Sequence, residues 1–177
     1  MDTIETLKPY KAQLDAANPI ASVWVSASAG SGKTKVLVDR VLRLLLEGEN
    51  PAKILCLTFT RAAAAEMQNR IRRLLGEWAV MEEKDLGPLI VNLTGKKPNS
   101  LTVSLARRLF AQVLDTPGGL NIQTIHAFCE SVLGRFPIEA GLSPHFRVMD
   151  DRMAEEALAI ASSNIFLRSR DGSDEQL

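Results

Sequence analysis

Thiols, net charge and long apolar runs are all scarce in this sequence. Only Cys56 and Cys129 occur in 177 residues. Two isolated cysteines cannot build the disulfide framework of a small secreted domain, and their spacing is not that of a metal site. They suit a reducing compartment, so the expected location is the cytoplasm. The 21 basic and 21 acidic side chains cancel, which removes any global cationic field; a nucleic-acid contact would have to arise from local geometry. The N-terminal Met1-Asp2-Thr3-Ile4-Glu5 is acidic and has no apolar signal core. No uninterrupted apolar run reaches the length that spans a bilayer. The expectation is a soluble intracellular protein without a membrane partner. Its 46% hydrophobic content suffices for one buried core and the start of a second domain.

Against these absences stands one dense segment, Ala27-Ser28-Ala29-Gly30-Ser31-Gly32-Lys33-Thr34. It follows the apolar run Val23-Trp24-Val25 and precedes a long apolar-periodic stretch, the strand, loop and helix order of a phosphate-binding P-loop. Glycines let successive backbone N–H groups turn inward toward phosphate oxygens, and the following helix adds the positive end of its dipole. In that arrangement Lys33 reaches the β- and γ-phosphates and the Thr34 hydroxyl holds magnesium, so ATP and Mg2+ are the expected cofactors. Ala27 stands where the strict pattern has glycine. The plain alternative is a Gly/Ser-rich turn that binds nothing.

Along the chain, residues 3 to 16 read as a helix stopped near Asn18-Pro19. A buried first strand is expected over 23–27 and an amphipathic helix from Gly32 to about Glu47. A second strand is expected over Lys53–Phe59, which would complete a parallel βαβ unit. Alanine-rich residues Arg61 to Leu75 favour helix by propensity. Between Glu77 and Ser100 the acidic, glycine and proline clusters predict loops around one short segment. Helix is expected again over Leu101–Leu114, then strand over Leu120–Thr124 and helix from Ile125 to Phe136. Pro137, Gly141 and Pro144 mark a loop, Arg152–Leu167 a further helix, and the polar tail from Arg168 lacks a structural signal. There are no internal repeats. The implied class is α/β.

A second constellation lies where the second strand ends, at Thr58-Phe59-Thr60-Arg61 followed by Ala62 to Met67. Polar and aromatic residues at the carboxyl edge of a parallel sheet face the ligand crevice. Threonines there can bind phosphate and a phenylalanine can stack on a base. The competing account buries Phe59 and leaves Thr58 and Thr60 to cap the next helix.

These segments together resemble the superfamily 1A (UvrD/Rep/RecB-type) DNA helicases. "ASAGSGKT" is similar to their motif I, in which alanine at the first position is usual. "TFTRAAAAEM" resembles motif Ia, and "TIHAFC", Thr124 to Cys129, resembles a segment that the family lays along single-stranded DNA. Gln13-Leu14-Asp15-Ala16-Ala17-Asn18-Pro19 resembles the adenine-reading glutamine motif. The four occur in family order across about residues 13–136. The fuller wording, with "GLSPHFRVMDDRMAEEAL" downstream, is most similar to the AddA-type helicase–nuclease branch in its alphaproteobacterial form.

The resemblance implies an incomplete RecA-like domain 1A over residues 1–136, with a helical segment at about 77–118, and the start of a helical 1B region over 137–177. It implies ATP contacts at Gln13, Ala27, Ser28, Ala29, Gly30, Ser31, Gly32, Lys33, Thr34 and Lys35. Lys33 and Thr34 would carry catalysis, with Thr34 on magnesium. Single-stranded DNA contacts are implied at Thr58, Phe59, Thr60, Arg61, Thr124, His126 and Phe128. In the family the whole protein drives 3′-to-5′ movement on DNA ends by ATP hydrolysis and works with an AddB-type partner subunit in double-strand-break repair.

Lys35 reads equally well as a surface lysine, and His126 as a histidine bonded to its own helix start. Arg70/Arg72/Arg73 and Arg107/Arg108 read first as solvated helix faces. Val148-Met149-Asp150-Asp151 superficially suggests a Walker B strand, but Arg147 interrupts the apolar run, and magnesium-holding carboxylates need a buried strand end. With no Asp-Glu-x-Gln-Asp motif, arginine finger or nuclease motif, the sequence reads as the front of a longer polypeptide, expected to be inactive alone. Two other functions stay open, a small P-loop nucleoside or nucleotide kinase and a catalytically silent binding module. The kinase would need an arginine-rich lid, and no segment supplies one.

Overall fold

A computed structural model describes residues 11–28 and 30–170, which fall into two compact units, 1–128 and 129–177. The first unit holds a two-stranded parallel sheet, β1 (Leu55–Thr58) beside β2 (Asn121–Thr124). Five helices accompany it: α1 (Lys11–Ala16), α2 (Lys33–Leu46), α3 (Arg61–Val80), α4 (Glu83–Thr94) and α5 (Ser100–Asp115). A sixth, α6 (Ile125–Arg135), begins directly after β2 and contains the boundary between the units.

The core of the first unit forms where helical stripes meet. α3 buries Ala64, Met67, Ile71, Leu75 and Trp78 at spacings of three and four, which line one face of a helix. α5 answers with Val103, Ala106, Leu109 and Val113. Gly76 lets the ring of Phe110 approach, since a Cβ there would lie 3.6 Å from it. α2 adds Val38, Val41, Leu42 and Leu45 to the same cluster. Gln68 on α3 donates from Nε2 to the Ile122 carbonyl of β2 at 3.0 Å, pinning that helix to the sheet. Asn121 donates to the Ala52 carbonyl at 2.6 Å and ties β2 to the 3-10 turn Pro51–Lys53 that leads into β1.

Several sequence expectations change. Residues 22–28 form no strand; Trp24 is 92% exposed, and Val23 and Val25 are exposed beside it. An apolar run becomes a buried strand only when neighbours on the sheet take up its N–H and C=O groups, and among the described residues none does. The expected βαβ unit over 23–59 is therefore absent. The parallel pair is β1 and β2 instead, with α3, α4 and α5 in the crossover between them. β1 is also shorter than Lys53–Phe59, because Pro51–Lys53 is a 3-10 turn and Phe59 lies past the last ladder residue.

The stretch between Glu77 and Ser100 is mostly helix. α3 runs on to Val80, and α4 follows with Pro88 inside it. Pro88 and Gly87 suppress the local signal, but Leu86 and Ile90, four apart, are 0% and 1% exposed; tertiary burial outweighs weak propensity. Gly95 then stops the helix in the left-handed region at φ 72°.

The second unit contains the rest of α6, a turn-rich stretch and α7 (Asp151–Arg170). α7 carries on past Leu167, so residues 168–170 are helical rather than tail. Asp150 accepts from the Met153 N–H at 2.8 Å and so caps α7, the work of a helix start rather than of a strand end. Leu158, Ile160, Ile165 and Phe166 of α7 are exposed. Of the sequence expectations, the first part of the 3–16 helix, Ala29 and the tail beyond residue 170 lie outside the described residues.

Candidate nucleotide and nucleic-acid site

The loop before α2 has the backbone form that its composition suggests. Gly30 and Gly32 take φ of 78° and 89°, a region that costs other residues dearly and glycine nothing. The turn is closed by Ser31, whose hydroxyl donates to the Ser28 carbonyl at 2.6 Å. Gly32 caps α2 and no side chain takes the first amides of that helix. Unclaimed amides at a helix start, together with the dipole, make a site for an anion. Lys33 folds over the loop, donating from Nζ to the carbonyls of Ala27 and Ser28 at 2.6 Å each. Thr34 is exposed on the first turn. Lys35 is paired with Asp39 one turn on, Nζ to Oδ2 at 2.6 Å.

Gln13 is far from this loop in sequence and next to it in space. Its side-chain Nε2 lies 3.5 Å from the point where a Cβ on Gly32 would stand. The segment that carries it is short, six residues of α1 with none of them buried, and an isolated helix of that length has no stability of its own. Two arginines of α2 hold it. Arg40 donates to the carbonyls of Asn18 at 2.6 Å, Ala21 at 2.8 Å and Pro19 at 3.3 Å. Arg43 donates to the Leu14 carbonyl at 2.9 Å and to the Leu93 carbonyl at 2.6 Å. Sequence reasoning misses both arginines. A signal exists, since Val36, Arg40 and Arg43 fall at i, i+4 and i+7, which puts two charges on a helical stripe. Burial pulls the Arg43 guanidinium below its usual pKa, and Asp39, Glu47 and Asp15 push it back up.

The second group of candidates gathers at the carboxyl end of the sheet. Thr58 and Thr124 are register partners, the last pair of the β1–β2 ladder. Phe59, Thr60 and Arg61 therefore leave the same edge as Ile125 and His126, although more than sixty residues separate them in sequence. Phe59 is 84% exposed. Thr60 accepts from the Ala63 N–H at 3.1 Å as the cap of α3, and the Thr58 hydroxyl donates to the Thr60 carbonyl at 2.9 Å. The capping account of the threonines thus holds in part, while the buried Phe59 that went with it does not. Thr124 Oγ1 accepts from the Ala127 N–H at 3.2 Å at the start of α6. Arg61 and His126 are exposed and Phe128 is half-buried. Of the other basic clusters, Arg73 lies 3.8 Å from Glu77 and Arg107 donates to the Met81 carbonyl at 2.9 Å.

Cys56, in β1, is partly buried and its thiol is pushed above the ordinary value by desolvation. Cys129 is exposed. No helix among the described residues is long and apolar enough to cross a membrane.

Comparison with known proteins adds three similar sequences, each named as an ATP-dependent helicase/nuclease subunit of the AddA type. That of Pediococcus pentosaceus is 34% identical over 155 residues, covering 85% of this chain and 11% of the relative. That of Lactobacillus acidophilus is 38% identical over 129 residues, 73% of this chain and 9% of the relative. That of Bacillus pumilus is 38% identical over 136 residues, with 75% and 9% covered. The chain thus spans about a tenth of the length of the curated relatives it matches. These relatives come from Firmicutes and give no support to an alphaproteobacterial origin. The sequence profile of the UvrD/REP helicase N-terminal domain matches residues 10–171, nearly the whole chain. On that match, the chain belongs to the UvrD/REP helicase N-terminal domain family.

Proposed function

We propose that this chain is the ATP- and single-stranded-DNA-binding N-terminal portion of an AddA-like, ATP-dependent 3′-to-5′ DNA helicase acting in double-strand-break repair. The observation that carries the reading is the loop of Gly30, Gly32 and Lys33 at an uncapped helix start, with Gln13 beside it. That combination offers a triphosphate its amides and an ammonium, and offers a base an amide side chain. Ala27 to Lys35 would line the phosphates, and Gln13 would read adenine.

The residues present suit magnesium bound with a nucleotide. Thr34 supplies one hard oxygen, and no group of three His, Cys, Asp or Glu side chains converges among the described residues. The ion would depend on Thr34, phosphate oxygens and water, the coordination that magnesium prefers. When bound it would neutralise charge building on the phosphates.

The paired strand ends would hold single-stranded DNA. Phe59 offers a stacking face, and Thr58, Thr60, Arg61, Thr124, His126 and Phe128 surround or support it. We read residues 1–136 as the first part of a RecA-like domain 1A and 137–177 as the start of a helical 1B region. In this reading the wider protein acts on DNA ends with an AddB-type partner subunit, in the cytoplasm. Titration of the chain with ATP and magnesium tests the nucleotide site. Lys33→Ala should weaken binding by about tenfold or more, the worth of a charge-assisted hydrogen bond, with the fold unchanged. Equal affinity in the folded variant would remove the assignment.

A further inference from the structure

Among the described residues one charged side chain is buried, Arg43, at 8% exposure. A buried guanidinium is costly unless its donors are used, and here they are spent on backbone carbonyls of two other helices. The guanidinium is a planar fork, which fixes the relative position of what it binds as a flexible ammonium does not. One arm takes the carbonyl of Leu14, next to Gln13. The other takes the carbonyl of Leu93, in the last turn of α4, where carbonyls lack partners within their own helix.

Apolar packing does not do this work. α1 buries none of its residues, and a cavity of about 460 Å³ opens around Leu14, Asp15, Arg43 and the 94–99 loop. Ala17, just past α1, is the buried anchor nearby, at 1% exposure. The guanidinium therefore sets the height of α1 over α2, and with it the distance from Gln13 to Gly32.

We propose that Arg43 is a positioning residue for adenine recognition, holding Gln13 against the phosphate-binding loop and tying the end of α4 to that site. The inference rests on the reading of Gln13 as the adenine contact. It predicts that losing the Arg43 fork lowers the selectivity for ATP over GTP while leaving the attraction for triphosphate in place, because Lys33 and the α2 amides are untouched.

The test is the ratio of GTP to ATP dissociation constants for the full chain and four variants: Gln13→Ala, Arg43→Met, Arg43→Lys and the Gln13→Ala/Arg43→Met double variant. Arg43→Met should weaken ATP about five- to tenfold, the scale of one hydrogen bond, with GTP affinity held. The double variant should be no worse than Gln13→Ala, since both changes act through one contact. Arg43→Lys keeps the charge but spans only one carbonyl, so its ratio should fall between the parent and Arg43→Met. It also keeps the proposal testable if Arg43→Met does not fold. If Gln13→Ala leaves the ratio unchanged, the adenine reading itself fails and takes this inference with it. If Gln13→Ala lowers the ratio but Arg43→Met or Arg43→Lys weakens both nucleotides equally, the adenine reading survives and the positioning role of Arg43 is overturned.

Discussion

Thr58 and Thr124 stand opposite each other as the final pair of a parallel ladder. Adjacent strands lie about 4.8 Å apart, so the two segments that follow these threonines emerge as close neighbours. A threonine also starts the helix on each side: Thr60 caps α3, and Thr124 binds the first turn of α6. The edge is thus a rigid platform from which Phe59 and His126 project.

Phe59 is the most exposed aromatic of that edge and carries little of the fold. Phe59→Ala should lower affinity for a single-stranded oligonucleotide by about 1–3 kcal/mol and shift the unfolding midpoint negligibly. Fluorescence anisotropy at two salt concentrations measures the first, and urea unfolding the second. The salt slope should be shallow, because few phosphates are contacted. Unchanged DNA affinity would remove Phe59 from the interface.

Thr60 has a structural job that is separable from any contact with DNA. Removing the cap in Thr60→Ala should cost about 1 kcal/mol of stability, and Thr60→Ser should restore most of it by replacing the same oxygen. Urea midpoints of the three proteins decide the matter. A stable Thr60→Ala variant would show that Ala63 finds another partner.

The two thiols should differ sharply toward an aromatic disulfide reagent at mildly alkaline pH. Cys129 is exposed and should react first, whereas Cys56 should react only as the chain opens. The same burial gives a pH dependence. The folded Cys56 thiol holds its proton above the ordinary thiol range, so the unfolded chain releases its proton first as pH rises. Stability is then full below the unfolded thiol value and declines as pH climbs toward and through the folded one. Cys56→Ala should flatten that alkaline decline, and parallel unfolding curves for parent and variant from neutral pH upward would contradict it.

Local chemistry was legible in the sequence because it depends on short spacing. The Gly-Ser-Gly-Lys-Thr run declared its loop: Gly30 and Gly32 take the positive φ that only glycine adopts freely. The helices α2, α3 and α5 followed from apolar stripes at 3.6-residue spacing, and β2 from its short run before a helix. α4 was not legible, since Gly87 and Pro88 argue against helix and only the burial of Leu86 and Ile90 argues for it.

Pairing and position were decided by tertiary structure. An apolar run such as Val23-Trp24-Val25 has the composition of a strand, but a ladder needs a partner, and the sequence does not say which strand will pair with which. The meeting of Thr58 with Thr124 depends on how α3, α4 and α5 fill the crossover between them. The approach of Gln13 to Gly32 depends on Arg40 and Arg43, whose donors reach carbonyls 19 to 50 residues away. A backbone carbonyl has no residue identity, so contacts of this kind leave no mark in the sequence. The residue types for phosphate binding are thus written in the sequence, whereas the geometry that brings a base-reading amide to the same loop belongs to the fold.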